Sequence, residues 1–277
     1  MNCKVMGIVN VTPDSFSDGG KYFTPEEAVR RIRNMVDEGA DIIDIGAEST
    51  RPGAQALSWE EEWSRLEPVL QLLAKSPLTP RKGTVPTDPR GTVPISIDTY
   101  HPETAERALD LGADIINCVY EGTVPRMLEI CAQKCGKLVI PVNSLGTVPQ
   151  GMISGGGGTV PGGGGTVPEG GGTVPGGVVA YIDPMIGFGT SREDDLTLLR
   201  SIPELAKRGP VLIGASRKRI VKKLTGEKLT GKNLGGNLGI AVWCAMKGAS
   251  VVRVHDVKET VQALKVVAAL ESGVMED

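Results

Sequence analysis

The 277-residue chain has only two histidines, His101 and His255, and five cysteines, Cys3, Cys118, Cys131, Cys135 and Cys244. An odd number of cysteines in a long chain argues against a disulfide framework. Cys131 and Cys135 stand one helical turn apart, which would suit half a metal site, but so few histidines leave little to complete it. Buried, reduced thiols are expected instead. No stretch approaches the roughly 18 uninterrupted apolar residues of a membrane span. The opening run "MNCKVMGIVNV" lacks a small-residue cleavage site, so a cytoplasmic protein with no membrane partner is expected. A surplus of charge is also missing. The formal net charge of -3 gives no reason to expect nucleic acid or an anionic membrane as partner. The chain has no Ser-His-Asp order, no His-x-x-x-His pair and no Walker-type loop, which weakens hydrolase, zinc and nucleotide-triphosphate readings.

What is present is a repeated unit: a short apolar run, a polar turn, then an amphipathic stretch. Strands are expected at "KVMGIVNV" (4–11), "DIIDIGAE" (41–48), "PISID" (94–98), "DIINCV" (114–119), "KLVIPVN" (137–143), "VVAYID" (178–183), "PVLIGAS" (210–216) and "SVVRVHD" (250–256). Helices are expected between most of them, at 102–111, 125–134, 193–208, 217–225, 235–247 and 257–271. Two more come earlier in the chain. "TPEEAVRRIRNMVDEG" opens with Thr24 and Glu27 as a capping box and ends at Gly39, and "SWEEEWSRLEPVLQLLAKS" repeats the signature with Ser58 and Glu61. Ser191 and Asp194 do so once more. Eight nearly continuous apolar strands alternating with helices predict an α/β fold, a (β/α)8 TIM barrel over residues 1–277 as a single domain.

The fifth crossover departs from this pattern. From Ile153 to Gly177, 13 of 25 residues are glycine, so the 144–177 insert is expected to stand as a flexible loop in place of the fifth barrel helix. The tetrapeptide GTVP begins at Gly83, Gly91, Gly122, Gly146, Gly158, Gly165 and Gly172 without a fixed period, and reads as loop filler outside the strands or at their edges.

In such a barrel, chemistry gathers in the loops at the carboxyl ends of the strands. The expected strands end in Asn10; Glu48 with Thr50 and Arg51; Asp98; Asn117; Asn143; Asp183; Ser216 with Lys218; and Arg253 with His255. So many convergent polar groups exceed what packing requires. A carboxylate on an apolar strand is costly to bury without a partner, which marks Asp98 and Asp183. Ser216-Arg217-Lys218-Arg219 follows a strand and opens a helix, a setting for an anion. Arg253 and His255 alternate along one strand and share a face. Carboxylates and carboxamides would read the donor edge of a polar heterocycle, while Arg, His and the helix start would hold a phosphate-like group.

Six segments in order, "MGIVNVTPDSFSDGG", "DIGAESTRPGA", "ISIDTY", "DPMIGFG", "GASRKR" and "VRVHDV", resemble the dihydropteroate synthase family from residue 5 to 272, apart from the glycine tract and the GTVP copies. The resemblance implies condensation of 6-hydroxymethyl-7,8-dihydropterin pyrophosphate with p-aminobenzoate, giving 7,8-dihydropteroate and pyrophosphate in folate biosynthesis. It further implies that Asp98, Asn117, Asp183 and Lys218 hold the pterin. Asn10, Arg253 and His255 would hold the pyrophosphate, with Asn10 helping to bind Mg²⁺. Thr50, Arg51, Pro52, Phe188 and Ser216 would shape the p-aminobenzoate site, and a homodimer would form through the later helices. Lys218, Arg253 and Asp98 are the expected catalytic groups.

The chain departs from the family pattern at Cys118, where an Asp is usual, at "IPVNSLG", at Met185, where Gly is usual, and at Thr190, where Lys is usual. Cys118 and Met185 are the changes expected to disturb the pterin pocket. Two alternatives stand beside the transferase: a pterin-binding barrel, engineered or degenerate, without turnover, and a pterin-dependent methyltransferase of the same fold.

Overall fold

The computed structural model describes residues 2–12, 24–48, 56–80, 90–134, 136–141, 172–173 and 178–274. Local chemistry sets where the first helices begin. In α1 (Pro25–Glu38) the Thr24 hydroxyl accepts from the Glu27 N–H at 3.2 Å, while the Glu27 carboxylate accepts from the Thr24 N–H at 3.1 Å. Both groups would otherwise be orphaned at a helix start. Gly39, at φ 105°, closes the helix in the left-handed conformation. Ser58 with Glu61 heads α2 (Trp59–Lys75), and Ser191 with Asp194 heads α5 (Arg192–Arg200), by the same reciprocal bonds. Ser201 and Pro203 divide the single helix expected over 193–208, and α6 (Ile202–Ala206) follows as a separate turn with proline in its first turn.

Eight strands run parallel: β1 (Lys4–Asn10), β2 (Ile42–Gly46), β3 (Ile95–Asp98), β4 (Ile115–Asn117), β5 (Lys137–Pro141), β7 (Val179–Asp183), β8 (Leu212–Ile213) and β9 (Val251–Val254). They follow the order β7-β5-β4-β3-β2-β1-β9-β8. A parallel bridge between Ile182 and Val211 joins the two ends, and the sheet becomes a barrel. The remaining helices are α3 (Pro102–Asp110), α4 (Val124–Lys134), α7 (Arg219–Thr225), α8 (Leu234–Met246) and α9 (Val257–Ser272). Among the described residues no helix is long and apolar enough to cross a membrane.

The fifth crossover falls outside the described residues, as does Asn143, except for β6 (Gly172–Thr173), a two-residue strand antiparallel to β7. Two other GTVP copies correct the reading of these tetrapeptides as filler. The copy at Gly122 supplies the first residues of α4, where Val124 is buried and Pro125 costs no helical hydrogen bond. The copy at Gly91 leads into β3; its Val93 is buried and donates its N–H to the Leu78 carbonyl at 2.9 Å. In both, a valine anchors the segment by burying apolar surface. Cys118, Cys131 and Cys244 are buried free thiols, as expected, and Cys135 lies outside the described residues.

Two apolar assemblies make the core. The larger lies mainly between strands and helices. The smaller, Met6, Ile42, Ile115, Val139, Leu212 and Val251 with Tyr181 against them, comes from strands alone and fills the barrel interior. Side chains alternate along a strand, so residues two positions farther on share the inward face. Stepping from Ile42, Ile115, Tyr181 and Val251 therefore reaches Asp44, Asn117, Asp183 and Arg253. The barrel is apolar in that layer and charged in the next, toward the carboxyl ends of its strands.

Candidate functional site

Arg253 is the hub of the charged layer. Its Nε lies 2.5 Å from Asp44 Oδ2, and one of its terminal nitrogens lies 2.5 Å from Asp98 Oδ2. Asn117 donates to the same Asp44 oxygen at 3.3 Å. One guanidinium thus bridges carboxylates from two neighbouring strands, β2 and β3. Burial opposes the charge on Arg253, but Asp44 and Asp98 outweigh it and hold the side chain firmly protonated. Asp98 is displaced upward from the usual carboxylate range, first by burial and then by the charges of Asp44 and Glu62, with Arg253 opposing the shift. Two buried acceptors in this layer, Asp44 Oδ1 and Asn117 Oδ1, have no hydrogen-bond partner among the described residues.

Across the barrel, Asp183 ends β7, and one of its carboxylate oxygens accepts from the Met185 N–H at 2.7 Å. Met185 has φ 57°, a conformation that glycine enters freely and an L-residue does not. The departure from the family glycine is therefore felt in the backbone, in the turn that fixes the Asp183 carboxylate. Lys218 extends from the turn after β8, at the position just before α7, and its Nζ donates to the Ile186 carbonyl at 2.6 Å. That Nζ also lies 4.3 Å from the centroid of the Phe188 ring. Burial lowers the Lys218 pKa to about 8, against the pull of Asp183, and burial raises that of Asp183, against the pull of Lys218. A Cβ placed on Gly214 would lie 3.8 Å from Arg253 Cδ and 3.9 Å from Lys218 Nζ, so the two cations flank one bare stretch of backbone.

Farther out on the rim, Ser216 Oγ and His255 Nδ1 are 3.1 Å apart. Asn10 pairs with Gly46 in the β1–β2 register, and a Cβ on Gly46 would come within 3.3 Å of Asp98 Cβ and 3.7 Å of Asn10 Oδ1. The rim positions of Asn10 and Asp98 thus converge over a glycine. Thr50, Arg51 and Pro52 lie outside the described residues. The cationic turn needs correcting. Arg217 adopts φ 61° and pairs with Asp256 at 2.6 Å, Arg219 is exposed, and α7 starts only at Arg219 and has seven residues. Of the three expected cations, Lys218 alone reaches the charged layer.

Cys118, the other departure of concern, turns its thiol to the Tyr120 carbonyl at 3.3 Å and to Thr123 Oγ1 at 3.5 Å, and packs in the larger apolar core. Thr190 has a local role: its hydroxyl bonds Asp195 Oδ1 at 2.5 Å and accepts from the Gly187 N–H at 3.1 Å. The fully buried Asp195 also accepts from Gly187 at 2.7 Å, bracing the loop that carries Ile186 and Phe188. Asp44 and Asp195 escaped the sequence reading. Asp44 sits inside an apolar run rather than at its end, and the signal for it was the period-two step from Ile42. Asp195 reads as one more acidic residue in a first helical turn.

Residues 6–151 and 176–255 match the family model described as pterin binding enzyme. The chain is 35% identical over 275 residues to the dihydropteroate synthase of Streptococcus pyogenes serotype M6, covering 97% of this chain and 96% of that one. Among solved structures, the Xanthomonas albilineans dihydropteroate synthase with 4-aminobenzoic acid superposes with a TM-score of 0.76 at 34% identity, covering 98% of this chain and 94% of that one. The same enzyme in complex with 7,8-dihydropteroate gives 0.74 at 31%, with the same coverage. With an α/β barrel, a charged layer at the carboxyl ends of its strands and relatives along nearly its whole length, this chain belongs to the dihydropteroate synthase family of pterin-binding enzymes.

Proposed function

We propose that the chain joins 6-hydroxymethyl-7,8-dihydropterin pyrophosphate to p-aminobenzoate, forming 7,8-dihydropteroate and releasing pyrophosphate. The observation that carries the reading is the buried acceptor layer of Asp44, Asp98, Asn117 and Asp183, set around two cations. A pterin presents ring N–H and amino donors, and the unpartnered oxygens of Asp44 and Asn117 are acceptors of the matching kind. In this reading Asp98, Asn117, Asp183 and Lys218 bind the pterin. Asn10, Arg253 and His255 bind the pyrophosphate, and Thr50, Arg51, Pro52, Phe188 and Ser216 bind p-aminobenzoate.

The chemistry follows from charge. Departure of pyrophosphate leaves positive charge on the pterin methylene while negative charge collects on the leaving group. Buried carboxylates stabilise the first and Arg253 the second, in a setting where water does not screen them. As the methylene C–O bond to pyrophosphate breaks, the aniline nitrogen of p-aminobenzoate forms the new C–N bond and passes its surplus proton to water. It is a weak base, so holding it in line supplies much of the rate.

Among the described residues no group of three or more His, Cys, Asp or Glu is placed to hold a metal ion. Mg²⁺ commonly takes few protein ligands and completes its shell with water and substrate phosphates. The neutral side-chain oxygen of Asn10 at the rim fits an ion that arrives on the pyrophosphate. When bound, Mg²⁺ neutralises charge on the departing pyrophosphate.

A second copy of the chain is the proposed partner. Trp243 and Met246 on α8 and Val266 and Leu270 on α9 are exposed, with Leu270 at 79%, and α8 and α9 are the later helices through which a homodimer is expected. Sedimentation at micromolar concentration tests this, and a purely monomeric boundary overturns it. The whole chain is read as one barrel domain, with 144–177 as an insert within it.

The test of the activity is Mg²⁺-dependent pyrophosphate release requiring both substrates, run beside Lys218→Ala. No release at saturating substrate overturns the proposal.

A further inference from the structure

We propose that Asn237, on the outer helix α8, is a positioning residue for the transfer: its carboxamide holds Arg217 in the left-handed conformation that sets Ser216 and Lys218 in the site. The inference rests on the roles proposed above for those two residues.

Arg217 has φ 61°, which brings Cβ against the backbone in any residue that carries one, so surrounding contacts have to hold it there. Two do. The Arg217 N–H donates to Asn237 Oδ1 at 2.9 Å, and the Arg217 guanidinium pairs with Asp256 at 2.6 Å. The Asn237 carboxamide is itself fixed in orientation, because its Nδ2 donates to Asn233 Oδ1 at 3.2 Å and leaves Oδ1 for Arg217. Asn237 is buried, so water does not readily replace it as acceptor.

The neighbours of Arg217 carry the consequence. Ser216 Oγ meets His255 Nδ1 at 3.1 Å, and Asp256, which grips Arg217, is the residue after His255. The turn after β8 and the turn after β9 are thereby tied together at two successive residues, Ser216 and Arg217. Lys218 follows directly; its N–H returns to the Ala215 carbonyl at 3.1 Å, which closes the turn before the side chain reaches Ile186. A change of φ at Arg217 moves Ser216 and Lys218 relative to one another, whereas Asn237 is assigned no contact with either substrate. Its effect is on geometry.

The experiment compares Asn237→Leu, Asn237→Asp and the double variant Arg217→Gly with Asn237→Leu. Steady-state pyrophosphate release gives kcat and the KM of each substrate. The ¹⁵N shifts of the His255 ring, one of only two histidines, read the Ser216 contact without turnover. Asn237→Leu removes the acceptor at similar size and is expected to raise the KM for p-aminobenzoate about tenfold and to move the His255 ring resonances. Asn237→Asp keeps an acceptor oxygen and is expected to stay within about twofold of the parent. Glycine at 217 adopts the left-handed conformation without strain, so the double variant is expected to recover part of the loss.

Unchanged KM and ring shifts in Asn237→Leu overturn the proposal, as does an Asn237→Asp loss equal to that of the leucine variant. If Asn237→Leu does not fold, Asn237→Ala, which also lacks the acceptor, takes its place beside Asn237→Asp, and unchanged KM and ring shifts there overturn the proposal. If the parent shows no turnover, the transferase reading fails on its own, and the His255 shifts still decide the role of Asn237.

Discussion

The Nε of Arg253 lies 2.5 Å from Oδ2 of Asp44, although 209 residues separate the two in the chain. Parallel pairing of β1 with both strands makes them neighbours, since β1 lies between β2, which carries Asp44, and β9, which carries Arg253, and both side chains reach across it on the inner face. Asp44 is fully buried and the Arg253 side chain mostly so, so removing Arg253 or Asp44 leaves the other underpaired with little water to replace it. Asp44→Ala is expected to cost about 3–5 kcal/mol of unfolding free energy, measured by urea denaturation. Asp44→Asn keeps an acceptor for the guanidinium and is expected to cost less. A loss below about 1 kcal/mol for the alanine variant would mean that Asp98 alone suffices for Arg253.

Lys218 sets the alkaline side of the pH profile. With its pKa lowered to about 8 by burial, the cation opposite Asp183 is lost above that pH, and kcat/KM for the pterin substrate is expected to fall there. Lys218→Arg is expected to lower the rate but to remove this limb, because a guanidinium does not titrate in the range. Stability moves the opposite way. The unfolded lysine, near 10.5, binds more protons than the folded one between about 8 and 10.5, so unfolding free energy gains a term that rises with pH across that window. Lys218→Met is expected to flatten that rise. Chemical denaturation at pH 8 and pH 10 makes the comparison, and an unchanged slope would contradict the depressed pKa.

Met185 carries a backbone conformation suited to glycine, at φ 57°. An L-residue pays about 1–2 kcal/mol there, and part of that is returned by the lower entropy of its unfolded state. Met185→Gly is expected to stabilise the protein by about 0.5–1 kcal/mol, while Met185→Ala, which keeps a Cβ, is expected to give no gain. Thermal unfolding of the two variants decides between backbone strain and side-chain bulk as the consequence of this departure.

The strand–helix alternation was legible because burial on both faces writes itself as apolar runs, and the capping boxes at Thr24, Ser58 and Ser191 because their partners lie three residues away. The rim residues were legible for a similar reason, each standing where a run stopped. Asp44 was not, since it interrupts its run for a partner on β9, a strand from the far end of the chain that only the pairing on β1 brings near. The outward turn of Arg217 was hidden as well: three adjacent cations read as one patch, and only the left-handed backbone, held by Asn237 and Asp256 far along the chain, parts Arg217 from Lys218. The GTVP copies at Gly91 and Gly122 misled because composition marks a loop, whereas a single buried valine decides whether the segment packs.

Asp183 is expected to govern pterin affinity through a carboxylate oriented by the Met185 N–H and faced by the Lys218 charge. Asp183→Ala removes a buried charged acceptor, a change of about 2–3 kcal/mol, so calorimetry is expected to find pterin binding weaker by about 30- to 150-fold. Asp183→Asn keeps one acceptor and the bond from Met185, but adds donors toward the ligand's own donors, and is expected to fall between the two. Because burial raises the Asp183 pKa, the wild-type affinity is expected to decline on acidification at a higher pH than an ordinary aspartate would set. Wild-type binding that holds constant down to the normal aspartate range would show that Lys218 and Met185 together outweigh burial, and would place the carboxylate in its charged form throughout.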